Sequence, residues 1–113
     1  MSYDVVWSEA AEAEADDAYF WLLGRSPNYA AKWLSGLRLA VDSLSDFPEP
    51  CPLAREHMLF SSPVRQHLYG KYRILFSIVD ADGDGTLDTV RILHARHGAR
   101  RDLDEERSNN ESS

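Results

Sequence analysis

The sequence predicts an α+β domain in the order β-α-α-β-β-β, with an αα-hairpin packed on one face of an antiparallel sheet. Three observations carry this. Two stretches repeat apolar residues at helical spacing and are separated by only about three residues, which makes them an antiparallel helical pair. A segment with four prolines and no period comes next, at 48–63. Three β-branched and aromatic runs then complete the chain, bounded by glycine and aspartate turns. Helices covering one face of an antiparallel sheet are a standard two-layer solution.

Tyr3 to Trp7 is β-branched and aromatic and reads as the first strand. Ser8 is placed as an N-cap, with Glu9 in the first turn where a carboxylate suits the helix dipole. Ala11, Ala15, Ala18, Tyr19, Leu22 and Leu23 form the apolar stripe, and Gly24 is expected to end the helix. Ser26-Pro27 opens the second helix, with a capping hydroxyl before a proline at the first helical position. Ala30, Trp33, Leu34, Leu37, Val41 and Leu44 form its stripe, and Phe47-Pro48 stops it. Trp33 lies on that stripe and reads as core. Phe20 and Trp21 are adjacent, so at most one can face fully inward, and one is expected at an interface. The loop at 48–63 is expected to run over the surface. Strands are placed near 64–69, 71–80 and 88–96, with Gly70 turning the first pair and Ala81 to Leu87 the second. Residues 1–101 form one domain. Residues 102–113 are polar, and composition reads them as a disordered tail.

Composition narrows the function classes. The chain has 113 residues and a formal net charge of −7. Residues 1–50 carry −6, residues 63–101 carry +3 and the last twelve carry −4. A repulsive long-range field argues against non-specific nucleic-acid binding. The positive charge is concentrated on the strands, at Arg65, Arg73, Arg96 and Arg100, and such a face suits an anion or an acidic partner. These groups are expected on the open sheet face, where alanine substitutions cost within about 0.5 kcal/mol. One cysteine, Cys51, excludes an internal disulfide and gives no zinc set. That fits a reducing, cytoplasmic location, as does a start without a basic leader. The longest apolar run is far too short to span a membrane.

Asp80-Ala81-Asp82-Gly83-Asp84-Gly85-Thr86-Leu87-Asp88 matches the opening of an EF-hand loop, with Asp88 at its ninth position. The twelfth position is Arg91 instead of the bidentate glutamate, and the flanks read as strands. The segment is therefore taken as an acidic hairpin turn in which aspartate and glycine supply the special backbone positions. No metal site and no cofactor are assigned.

Several of these pieces occur together in a known family. They are Trp7-Ser8-Glu9-Ala10-Ala11, Phe47-Pro48, Val64-Arg65, Gly70-Lys71-Tyr72-Arg73-Ile74-Leu75-Phe76, and Ile92-Leu93-His94-Ala95-Arg96-His97-Gly98-Ala99-Arg100. Taken in order, over roughly residues 3–101, they resemble the RelE/ParE superfamily of type II toxins, and the ParE branch (plasmid stabilisation toxins) most. The resemblance implies a toxin that inhibits DNA gyrase and is neutralised by a cognate antitoxin whose C-terminal segment folds on it. It also implies assembly as a homodimer or as a heterotetramer with the antitoxin. The RelE-like alternative is cleavage of mRNA at the ribosome. A third alternative is an inactive relative that only binds antitoxin or itself.

RNA cleavage through the 2′-hydroxyl needs a base, an acid and cations for the phosphorane charge. His97 is the candidate for the acid–base group, and Arg65, Arg73 and Arg96 are candidates for holding phosphate. His94 is three residues from His97, so the two point to opposite faces of a strand and make poor joint partners. The set is incomplete for a nuclease, which favours the non-enzymatic toxin. Arg65, Arg73, Arg96, His97 and Arg100 are the expected target-binding residues. Phe20, Trp21 and Tyr29, aromatic residues beside the hairpin turn, are the expected antitoxin contacts.

Overall fold

The computed structural model describes residues 2–60 and 63–98. Arg100 and the tail at 102–113 lie outside the described residues. Strand β1 (Asp4–Trp7) leads into helices α1 (Glu9–Leu23) and α2 (Pro27–Asp42), followed by β2 (Arg65–Tyr69), β3 (Tyr72–Val79) and β4 (Thr89–His97). The sheet order is β1-β4-β3-β2. β2, β3 and β4 are antiparallel neighbours, whereas β1 joins the far edge of β4 in parallel. The sheet is therefore mixed at that one pair. The helical hairpin lies between β1 and the other strands in sequence, and this crossover brings β1 back parallel.

The capping signals act as the sequence suggests. The Ser8 hydroxyl accepts the Ala11 N–H at 3.0 Å, and the Ser26 hydroxyl accepts the Tyr29 N–H at 3.4 Å. Gly24 follows the last residue of α1 but keeps a right-handed φ of −66°. The helix thus ends without a left-handed cap, and Ser26 with Pro27 restarts the chain two residues on. Gly70 does use positive φ, at 56°, in the β2–β3 turn.

The main core lies between the hairpin and the sheet. Ala11, Ala15, Leu22, Ala30, Trp33, Leu37, Val41 and Leu44 meet Ile74, Phe76, Val90 and Ile92. Trp33 is core, as its place on the stripe implies.

The second face of the sheet is not open, which corrects the sequence expectation. The proline-rich segment folds under it and forms a second small core of Ala54, Val64 and Leu75, flanked by Phe60 and Leu93. Leu53 bridges Arg65, the Gln66 N–H reaches Pro52 O at 2.9 Å, and the Ala54 N–H reaches Val64 O at 2.8 Å. A short 3-10 turn at Arg55–Leu59 completes the cover. The physical reason is that β3 is apolar on both faces, with Ile74 and Phe76 toward the helices and Leu75 away from them. Burying Leu75 requires a cover.

A β-bulge interrupts the pairing of β3 with β4. Leu75 pairs with His94 and Phe76 with Ile92, so Leu93 is an extra residue in β4. The bulge re-phases the strand. Val90 and Ile92 face the helices before it, and Ala95 and His97 face them after it. Arg96 is thereby opposite Arg73 on the second face.

Candidate functional site

The strand arginines are not the open cationic face that their spacing suggests. Arg73 is only 8% exposed and Arg96 only 4%. Arg73 meets the buried carboxylate of Glu56 through two bonds, of 2.7 and 2.6 Å, and reaches Gln66 Oε1 at 3.1 and 2.9 Å. This fork pins the 3-10 turn to the sheet. The Arg73 guanidinium holds the Glu56 carboxyl below its usual range, outweighing the upward push of burial. Arg73 and Arg96 are like charges directly across two strands, an arrangement that opposes itself unless neutralised nearby, and Glu56 does so on one side. Arg65 is half-buried, and its Nη1 donates to Glu49 O at 3.0 Å and Cys51 O at 2.7 Å. Arg73 and Arg65 thus hold the cover segment; they do not line an open face.

The two histidines are in separate surroundings. His94 sits at the bulge, its Nδ1 3.0 Å from Glu14 Oε1, and the same oxygen accepts the Ala95 N–H at 3.0 Å. Glu14 thus serves the part of β4 that extends past the end of β1. The His97 ring meets Tyr72 edge-on at 5.2 Å.

His97 also lines a concave surface. A groove of about 530 Å³ is lined by Trp21, Tyr29, Trp33, Tyr69, Tyr72 and His97, with Lys71 at its rim. It is built where the turn end of the helical hairpin meets the β2–β3 turn. Trp33 is its floor, with ring centres 5.0 Å from Tyr72 and 6.4 Å from Tyr69. The Tyr69 hydroxyl donates to Trp33 O at 3.0 Å. It reaches that carbonyl because Gly36 lacks a side chain: a Cβ there would run into the Tyr69 ring and hydroxyl. Burial pushes the Tyr69 phenol above its usual pKa, with a smaller contribution from Tyr29. Trp21 stands on the rim, 58% exposed, with the Arg25 guanidinium 4.3 Å from its ring centre. A second hollow of about 360 Å³ continues from Trp21, Tyr72 and His97 toward Glu14 and Asp17.

Of the aromatic residues singled out from sequence, Trp21 and Tyr29 line the groove. Phe20 lies outside the lining and packs on Tyr19 at 5.8 Å. Both Phe20 and Trp21 are exposed. Sequence reasoning missed Tyr69, Lys71 and Tyr72. Their signal was an aromatic residue on each side of the Gly70 turn. It also missed Glu56, Gln66 and Glu14, which carry no pattern.

The aspartate turn brings Asp80, Asp82, Asp84 and Asp88 together, one carboxylate oxygen of each within 4.8 Å of the others. Those carboxylates bind the turn's own backbone. Asp80 accepts the N–H groups of Gly85, Gly83 and Asp84 at 2.7, 2.8 and 3.2 Å, which holds its pKa below the usual value. Asp88 accepts the Ala81 N–H and the Thr89 hydroxyl and is likewise lowered. Gly83 and Gly85 take φ of 78° and 89°. Arg91, at the twelfth position, lies exposed in β4.

The model for the ParE toxin of type II toxin–antitoxin systems (parDE) matches residues 5–107. The chain belongs to the ParE toxin family. It is thus a toxin of the type II class, in the RelE/ParE superfamily. Solved relatives have the same architecture. One chain of a chromosomal ParDE toxin–antitoxin system from P. aeruginosa superposes with a TM-score of 0.65 at 17% identity, over 85% of this chain and 96% of that one. One from the RelBE2 toxin–antitoxin complex of Mycobacterium tuberculosis does so with a TM-score of 0.53 at 25% identity, over 86% and 99%. No curated protein matches the sequence. No helix among the described residues is long and apolar enough to cross a membrane.

Proposed function

We propose that this ParE-family protein acts by binding, inhibiting DNA gyrase, and is neutralised by a cognate antitoxin that fills the aromatic groove. One observation carries the choice of binding over RNA cleavage. The cations that would stabilise a phosphorane are engaged with protein: Arg73 with Glu56 and Gln66, and Arg65 with the carbonyls of Glu49 and Cys51. Arg73 and Arg96 then serve the target surface by fixing the strands under it, and His97 and Lys71 are the groups that reach it. Trp21 and Tyr29 offer an antitoxin segment an apolar seat, the kind of rigid aromatic surface on which interface energy concentrates. Phe20 extends that seat along α1.

The second reading is a RelE-like nuclease. What favours it is His97 beside the Tyr72 ring and Lys71, three groups able to move or stabilise a proton. A gyrase supercoiling assay run beside a ribosome-dependent mRNA cleavage assay separates the two. We expect supercoiling to be inhibited and the mRNA to stay intact. Cleaved mRNA with normal supercoiling overturns the gyrase reading.

A further inference from the structure

Helix α1 is anionic along its whole length. It carries Glu9, Glu12, Glu14, Asp16 and Asp17 and no lysine or arginine. A partner laid against it is best matched by positive charge. Glu14, Asp17, Ala18 and Trp21 fall at i, i+3, i+4 and i+7, so they share one face of the helix. That face forms one wall of the hollow of about 360 Å³ beside the aromatic groove, and Tyr72, Ala95 and His97 form the other. Room exists there for two reasons. β1 ends at Trp7, which pairs with Ile92, whereas β4 runs on to His97 without a strand on that side. Ala18 and Ala95 then contribute only methyl groups to the walls.

The charge of this hollow is not balanced from within. Glu14 Oε1 serves His94 and the Ala95 N–H, which leaves Oε2 over. Asp17 has no hydrogen bond or ion pair among the described residues. Carboxylates beside aromatic rings suit a flat cation: the carboxylates supply opposite charge, and the rings supply a stacking surface. A guanidinium meets both better than a compact ammonium does, because it is planar and its N–H groups form a fork. Trp21 already accepts this contact from Arg25, whose guanidinium lies 4.3 Å from the ring centre. Trp21, Tyr72 and His97 line both the hollow and the groove, so a segment seated in the groove lies next to Glu14 and Asp17.

We propose that the hollow takes an arginine side chain of the antitoxin segment, with the guanidinium against Trp21 and Tyr72 and its N–H groups toward Asp17 and Glu14 Oε2. An apolar residue of the same segment fills the groove. The identity of the occupant rests on the antitoxin reading; the cation seat does not.

The seat is tested first without antitoxin. The 15N-labelled full chain is titrated with N-acetyl-arginine amide and with its citrulline analogue, which has nearly the same shape and no charge. The arginine compound should give saturable NMR shifts at the Trp21 indole N–H and at the Asp17, Ala18 and Ala95 amides, and citrulline should bind more weakly. Asp17→Asn should raise the Kd for the arginine compound by about two- to five-fold, as expected for the loss of a partly exposed ion pair. Trp21→Leu should weaken it as well, and far-UV circular dichroism establishes that both variants are folded. The second arm uses the cognate antitoxin. Asp17→Arg should weaken the complex, and glutamate in place of one arginine of the toxin-binding segment should restore it. Equal shifts with both compounds, or shifts centred away from α1, overturn the seat. Antitoxin affinity unchanged by Asp17→Arg overturns the occupant. An antitoxin that fails to bind the wild type overturns the antitoxin reading and the occupant with it, while the titration still decides the seat.

Discussion

Arg73 illustrates how a residue that looks like a ligand contact becomes a structural bond. In sequence it is a cation in a strand beside a glycine turn. In the fold it is forked onto Glu56, a carboxylate that is 1% exposed. Removing one member of a buried pair leaves the other charge uncompensated, at a cost of about 3–5 kcal/mol. Arg73→Ala and Glu56→Ala should therefore each lower stability by that order in urea unfolding, far beyond the surface cost that sequence alone suggests. The double variant should lose less than the sum of the two. The pair also sets an acid limit. Glu56 has a folded pKa below its unfolded value. Its contribution is complete above the usual glutamate range and is lost as pH falls through the depressed value. Acid titration of the wild type should show this loss, and Glu56→Gln should flatten it; an unchanged acid limit in Glu56→Gln would mean that another carboxylate sets it.

The elements were legible to differing degrees, for physical reasons. Both helices announce themselves by period and by Ser8 and Ser26, because caps and stripes are local. The β2–β3 hairpin is equally local, since only Gly70 need adopt positive φ. The cover segment was not legible: Ala54 and Glu56 become buried, and Phe60 partly so, by meeting Leu75 and Arg73, and no spacing within 48–63 encodes that. The β4 bulge left one trace, the adjacent apolar pair Ile92-Leu93, which breaks alternation and sends the two side chains to different cores. The groove was half legible, through Trp21 and Tyr29 but not through the tyrosines on the far side of the hairpin. The aspartate turn bears its own prediction. Its carboxylates already accept the backbone N–H groups that shape it, and the bidentate twelfth ligand is replaced by Arg91. Any calcium affinity should thus resemble that of weak modules, about millimolar. Thermal melts with calcium and with chelator should agree within a few degrees, whereas a large stabilisation by micromolar calcium would show that the turn is a cation site.

At the scale of the whole molecule, the distribution of apolar surface decides behaviour in solution. The domain closes two cores on a small sheet, yet Phe20, Trp21 and Tyr29 are each more than half exposed around one end. Exposed apolar patches of this kind mark interaction sites and, when unfilled, promote association. A net charge of −7 opposes self-association at low salt, but that repulsion is screened at physiological ionic strength, where the Debye length is about 8 Å. Light scattering on the protein alone should accordingly show association that grows with salt. Trp21→Ser with Tyr29→Ser should reduce association while leaving the melting temperature nearly unchanged, because both side chains stand mainly in solvent. A monodisperse monomer at high concentration and high salt would mean that the aromatic end is no docking surface. The antitoxin's seat would then have to be sought along α2 and the segment after it, where Leu39 and Phe47 are exposed apolar groups.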